Sequence, residues 1–272
     1  EELRESGPFE IVDCTDINAI DGVVKKYQID TVFHLASLLS AVAENNPQLA
    51  WNVNVNSLVN ILEVAREGKC AVFMPSSIGA FGPTTPLDNT PQVTVQRPTS
   101  IYGVTKVSAE LLCDYYYHKY DVDVRGLRYP GIISYVTPPG GGTTDYAVEI
   151  FYQALKEKKY TCFLKEGTRL DMMYMPDAIK GAIDLMEADP AKLINRNAYN
   201  VSAMSFAPED IFAEIKKFIP ELTMDYEIDP LRQGIADSWP NYMNDSAARE
   251  EWGWQPEYDL PLMVKDMLKN LA

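Results

Sequence analysis

The chain has 272 residues, 46% hydrophobic and 23% charged, ordinary values for a globular protein with room for one large domain or two unequal lobes. Its net charge of −15 argues against a nucleic-acid binder, which needs a basic patch, and against an anionic membrane surface. Four scattered cysteines (Cys14, Cys70, Cys113, Cys162) and only two histidines argue against a disulfide scaffold and a histidine-rich metal site, and no apolar run is long enough to span a bilayer.

These features place the chain in a reducing, cytoplasmic setting with no metal. The opening "EELRESGPFE" is charged and polar, shows no signal peptide and lacks an initiating methionine, so it is expected to begin a processed, trimmed or incomplete product.

In chain order, "FEIVDC" (Phe9 to Cys14) predicts a short strand and Ile17 to Tyr27 a helix. "DTVFHLA" (Asp30 to Ala36) predicts an apolar strand, Pro47 to Arg66 a long helix, and Cys70 to Ser77 a second buried strand. Ile101 to Tyr120 is helical and Val122 to Pro130 returns to strand. Alternating strands and helices with apolar strands imply an α/β fold, a doubly wound parallel sheet with helices on both faces.

The second half is less regular. The glycine-rich loop "PPGGGTTDY" (Pro138 to Tyr146) precedes a helix over about Ala147 to Lys158. Short strands follow near Thr161–Leu164 and Met172–Met175, then a helix from about Asp177 to Glu187 and a strand over Ala198 to Ser202. Ala207 to Ile219 and Pro261 to Leu271 are amphipathic helices. A soft boundary near Gly131 to Gly142 divides the chain into a first lobe over residues 1–135 and a smaller one over 136–272, with some segments returning to the first.

The chemistry concentrates in "SSIGAFG" (Ser76 to Gly82) and "IYGVTK" (Ile101 to Lys106). Tyr102 and Lys106 stand four apart and share a helical face. A phenol is a poor base at neutral pH, and a nearby ammonium favours its phenolate. Ser77, ending a strand, is placed to hydrogen-bond a substrate oxygen as it becomes a carbonyl. The three together suit removal of a hydroxyl proton while hydride leaves the same carbon. Taken alone, Y-x-x-x-K also describes a surface helix pair.

On that helix Val104, Val107, Leu111 and Tyr115 lie opposite Tyr102. Either Tyr102 faces a cleft and this stripe packs on a second subunit as a symmetric dimer, or the stripe faces the chain's own core and Tyr102 faces solvent.

The chain resembles the extended short-chain dehydrogenase/reductases, the NAD-dependent epimerase/dehydratase superfamily, through "DCTD", "HLAS", "NVNVNS", "SSIGAFG", "YGVTK", "LRYPGI" and "NDSAAREEWGWQP". Within it, "RYPGIISY" and "PPGGGTTDYAVEIFY" resemble the short-chain type of L-threonine 3-dehydrogenase, which oxidises L-threonine with NAD to 2-amino-3-oxobutyrate. The resemblance implies a Rossmann-like sheet with a smaller C-terminal substrate-binding lobe.

It also implies roles for residues. Tyr102 is the base, Lys106 holds it, and Ser77 orients the substrate hydroxyl. Asp13 and Cys14 match an adenine-contacting strand end, and Leu35, Ala36 and Ser37 line the cofactor. Asn54 matches a buried structural asparagine, while Tyr129, Pro130 and Ile132 lie beside the nicotinamide. Ser40, Thr143, Thr144 and Asp145 are candidates for the substrate: an aspartate suits an α-ammonium, and hydroxyls suit a carboxylate. "GGGTTD" also reads as a loop with Thr144 or Asp145 capping the next helix. Trp239 is either a pocket-closing or a core tryptophan.

Two departures qualify the resemblance. Nucleotide-sugar members carry arginine directly before aspartate where this chain has "RLD", with Arg169 one place early; that shift turns the side chain to the other strand face and favours a small substrate. No G-x-G-x-x-G unit, which would hold the pyrophosphate, occurs in these residues. A nucleotide-sugar epimerase or dehydratase, and a truncated non-catalytic relative unable to hold NAD, are the alternatives.

Overall fold

The computed structural model describes residues 7–271. The charged N-terminal segment, residues 1–6, lies outside the described residues. Three strands of the first half, β1 (Thr31–Phe33), β2 (Ala71–Ser77) and β3 (Val124–Tyr129), form a parallel sheet. β7 (Tyr199–Asn200) returns from the second half and pairs with β3, giving the order β1-β2-β3-β7. The sheet is wound on both sides, as the α/β pattern requires.

One face carries α1 (Ile17–Tyr27), α4 (Ser57–Gly68) and α5 (Ile101–Tyr120), whose apolar sides meet Val72, Met74 and Val124. The other carries α7 (Met175–Glu187), where Ala178, Ala182 and Leu185 pack with Phe73, Leu127 and Trp254. The remaining core lies around α6 (Tyr146–Glu157), where Phe151, Tyr160, Tyr174 and Phe206 are wholly buried. Two small sheets frame it. β4 (Gly131–Ile133) pairs with β6 (Leu170–Tyr174), which also takes antiparallel β8 (Met204–Phe206), and β5 (Lys159–Cys162) pairs with β9 (Thr223–Tyr226).

Several expectations need correction. Phe9 to Cys14 forms no strand: Ile11 is 84% exposed, and the segment ends in a turn that leads to α1, N-capped by Asp16. An apolar segment makes a strand only when a neighbouring strand takes its hydrogen bonds, and no sheet among the described residues includes residues 10–14. β1 stops at Phe33 rather than Ala36. His34 still donates its N–H to the Phe73 carbonyl, but Pro75 has no N–H with which to continue the ladder, so the chain leaves the sheet there. The helix expected over Pro47 to Arg66 runs to Gly68, but a π-helical turn at Asn52–Asn56 separates α3 (Pro47–Trp51), which follows the short α2 (Ser40–Asn45), from α4.

Neither Thr144 nor Asp145 caps α6 through its side chain. The Asp145 carboxylate instead accepts the Gly141 and Gly142 N–H groups at 2.8 Å each and closes the loop before the helix.

Asp171 is wholly buried in β6, where its oxygens accept the Ser202 hydroxyl and the Met243 N–H, both at 2.8 Å. Burial pushes its carboxyl up to about 8, with the charge of Asp245 acting in the same direction. Arg169, two residues earlier, lies on the surface and donates to the Ser205 carbonyl and the Asp210 carboxylate. The four cysteines are free, and no helix among the described residues is long and apolar enough to cross a membrane.

Candidate active site

The carboxyl ends of β2 and β3 open into a cleft of about 290 Å³, the position at which open parallel sheets take ligands. Ser77 is the last residue of β2 and is in register with Tyr129, the last of β3. It N-caps a 3-10 turn, Ile78–Ala80, with its hydroxyl oxygen accepting the Gly79 N–H at 3.1 Å. That bond occupies a lone pair and leaves the hydroxyl proton free to donate into the cleft.

Tyr102 enters from the first turn of α5, whose start is fixed twice. Ser100 accepts the Gly103 N–H, and the Glu44 carboxylate accepts the Ile101 N–H at 2.6 Å. The Tyr102 ring is buried against Ala43 and Ala50. One turn on, the Lys106 ammonium stands 5.4 Å from the ring centroid and donates to the Pro75 carbonyl at 2.8 Å. The proline that ends the β1–β2 ladder therefore also anchors the lysine.

Tyr102 and Lys106 are buried at 9% and 7% exposure, whereas Leu111 and Tyr115 on the opposite side of α5 are 63% and 51% exposed. The arrangement with Tyr102 on the surface and the stripe in the core is excluded.

The loop after β1 is held by Asn54. Its amide oxygen accepts the Leu38 N–H at 2.7 Å, and its amide nitrogen donates to the Leu38 carbonyl and to the Thr105 hydroxyl. Asn54 sits in the π turn, so the local widening of the helix serves to present this side chain inward. It supports the cleft without lining it.

His34, beside it, is buried. Burial pushes its imidazole down to about 4, and the Lys106 charge acts in the same direction, so the ring is neutral at ordinary pH. Because the Ser57 hydroxyl donates to the Val53 carbonyl, the His34 Nε2 is the donor in the 3.1 Å contact with Ser57.

The structure brings most predicted residues together. Leu35, Ser37, Ser40, Ser77, Tyr102, Lys106, Tyr129, Pro130, Ile132, Thr143, Thr144 and Asp145 all line the cleft. Ala36 is exposed outside it, and Asp13 and Cys14 stand in the turn before α1. There Asp13 accepts the Thr15 N–H and hydroxyl, and Asn60 donates to the Cys14 carbonyl. Trp239 is both buried and part of the cleft wall.

Tyr129 differs from Tyr102 in kind: its hydroxyl donates to the Ala178 carbonyl at 2.7 Å, and burial pushes its phenol up. Sequence reasoning missed Pro75, Gly79 and Glu44. Only Pro75 carries a signal in the sequence, as a proline inside an apolar strand pattern.

Comparison with known proteins agrees with this geometry. The model of the NAD dependent epimerase/dehydratase family matches residues 1–202. An uncharacterised epimerase/dehydratase of Staphylococcus saprophyticus is 57% identical over 264 residues, covering 97% of this chain and 82% of that protein. An L-threonine dehydrogenase structure from Clostridium difficile superimposes with a TM-score of 0.98 at 59% identity, covering 99% of this chain and 84% of that one. The holo form of a GalE-like L-threonine dehydrogenase from Cupriavidus necator gives 0.95 at 50% identity, covering 98% and 88%.

Proposed function

The chain belongs to the NAD-dependent epimerase/dehydratase family, and we propose that it oxidises L-threonine at the 3-hydroxyl to 2-amino-3-oxobutyrate. The observation that carries this reading is the near-complete likeness to L-threonine dehydrogenases, at 59% identity over 99% of the chain. The position of Arg169 supports it. That side chain is engaged with Ser205 and Asp210 and is not part of the cleft lining, so it offers nothing to a sugar diphosphate there.

At the nicotinamide end the residues present fit NAD. One ammonium, Lys106, sits beside an apolar wall of Leu35, Tyr129, Pro130 and Ile132 at the strand ends, a combination suited to a nicotinamide riboside. In our reading Tyr129, Pro130 and Ile132 flank the ring, Ser37 borders the cofactor, and Asn54 steadies the loop that carries it. NAD supplies the hydride acceptor when bound. Tyr102 removes the proton of the substrate hydroxyl, and Ser77 donates its own hydrogen to the same oxygen as it becomes a carbonyl. Lys106, anchored by the Pro75 carbonyl, stands 5.4 Å from the Tyr102 ring centroid and holds its place beside the base. Thr143, Thr144 and Ser40 meet the carboxylate and Asp145 the ammonium of the amino acid.

Incubation with NAD and L-threonine should reduce the nicotinamide, read by absorbance, while a UDP-sugar in parallel should not turn over. Turnover of the sugar nucleotide, or of neither compound by protein that binds NAD, would overturn the assignment.

A second copy of the chain belongs to the same reading. Leu111, Tyr115 and Val104 on α5, with Leu49 and Trp51 on the neighbouring α3, leave an exposed apolar face of the kind a symmetric dimer covers. Sedimentation should give a dimer, converted to monomer by Leu111→Asp. A wild-type monomer would remove the dimer from the proposal.

A further inference from the structure

Gly79 lies in the 3-10 turn between Ser77 and the cleft wall, and its backbone does not require glycine. The positive-φ glycines are Gly141, Gly167 and Gly253, so Gly79 occupies a region open to any L-residue. What excludes a side chain is its surroundings. A Cβ built there would stand 3.0 Å from Tyr102 Cε1, 3.1 Å from Tyr102 Cδ1 and 3.5 Å from the Ser77 hydroxyl oxygen. Its three nearest neighbours thus belong to the two groups assigned to the reacting hydroxyl.

The Tyr102 ring cannot yield freely, because it also packs on Ala43 and Ala50, both wholly buried. The Gly79 N–H in turn orients Ser77. The same turn receives α5 directly, since a Cβ at Gly103 would fall 2.2 Å from the Gly79 carbonyl oxygen.

From this geometry we infer that Gly79 is a positioning residue: its missing side chain is the space that sets the Tyr102 ring against the Ser77 hydroxyl. The inference rests on Tyr102 and Ser77 being the reacting pair. A methyl group at Gly79 displaces the ring by a few tenths of an ångström at constant chemistry. Displacements well short of 1 Å matter at a reacting centre because proton transfer needs hydrogen-bond contact.

The test compares Gly79→Ala with wild type. The kcat for L-threonine oxidation should fall about 10- to 100-fold while KM changes less than about 2-fold, the pattern of an interaction lost in the transition state alone. In protein with ring-¹³C-tyrosine, the Tyr102 resonance, identified by its loss in Tyr102→Phe, should move. Any stability cost of Gly79→Ala should vanish in a Tyr102→Ala background, since the ring is what the methyl meets.

An unmoved resonance with wild-type kcat overturns the inference, as does a stability cost that persists without the ring. The resonance and the double-mutant cycle need no substrate. If wild type fails to oxidise L-threonine, the functional proposal falls and these two measurements still decide the role of Gly79.

Discussion

Tyr102→Phe is expected to lower kcat by about 10²–10⁴-fold, the usual contribution of a positioned general base, or about 3–5 kcal/mol of barrier. The substitution removes only an oxygen. The ring keeps its packing on Ala43 and Ala50 and its contact with the glycine turn, so the fold should stay intact. The hydroxyl and ammonium groups around it are engaged elsewhere. The Tyr129 hydroxyl is spent on the Ala178 carbonyl, and burial raises its phenol, so it holds its proton. Lys106 is held by the Pro75 carbonyl and has no lone pair to offer as an ammonium. Ser77 accepts the Gly79 N–H and is arranged to donate. Steady-state kinetics with circular dichroism on the same samples check this. A folded variant retaining wild-type kcat would take Tyr102 out of the role of base.

The parts of this site legible in the sequence are those set by local chemistry. Ile101–Tyr120 is helical over the range the periodicity predicts, because Ser100 caps one end and Asp121, in the left-handed region, closes the other. Ser77 at the end of a strand, and Tyr102 and Lys106 on one helical face, follow from the same local rules. The failures are contacts between distant segments. The apolar residues Ile11 and Val12 suggest a strand, but a short window cannot supply a neighbour for it. β4 and β8 exist because β6 lies between them, and neither pattern is strong alone. Glu44 fixes the start of α5 from 57 residues away, a pairing no short window contains. Asp145 carries the right charge for an ammonium, yet one of its oxygens already holds two backbone N–H groups, which only the folded loop reveals.

The largest stability effect is expected one turn beyond Lys106. There Glu110 and Arg128 form an ion pair at 2.9 Å whose side chains are 5% and 9% exposed. The guanidinium grips both carboxylate oxygens, Gln96 adds a hydrogen bond to one, and Ser76, next to Ser77, donates to the other. Arg128 also donates to the Gln92 carbonyl and to Asn200, so the pair joins α5, β2, β3 and β7 beneath the cleft.

A buried pair gains little over an apolar pair of equal volume, but stranding one partner is expensive. Glu110→Ala takes from the largely buried Arg128 guanidinium the carboxylate that grips it, leaving the Gln92 carbonyl, the Asn200 amide oxygen and the more distant Asp114. It should cost about 3–5 kcal/mol, lowering the thermal midpoint by roughly 10 °C. Arg128→Met in the Glu110→Leu background removes both charges and should recover much of that loss, although Gln92 and Asn200 keep acceptors to satisfy. If the double variant were as unstable as Glu110→Ala, the cost would lie in lost packing. If Glu110→Ala were as stable as wild type, water or Asp114 would be compensating Arg128, and the seam beneath Ser77 would not carry the cost of a stranded charge.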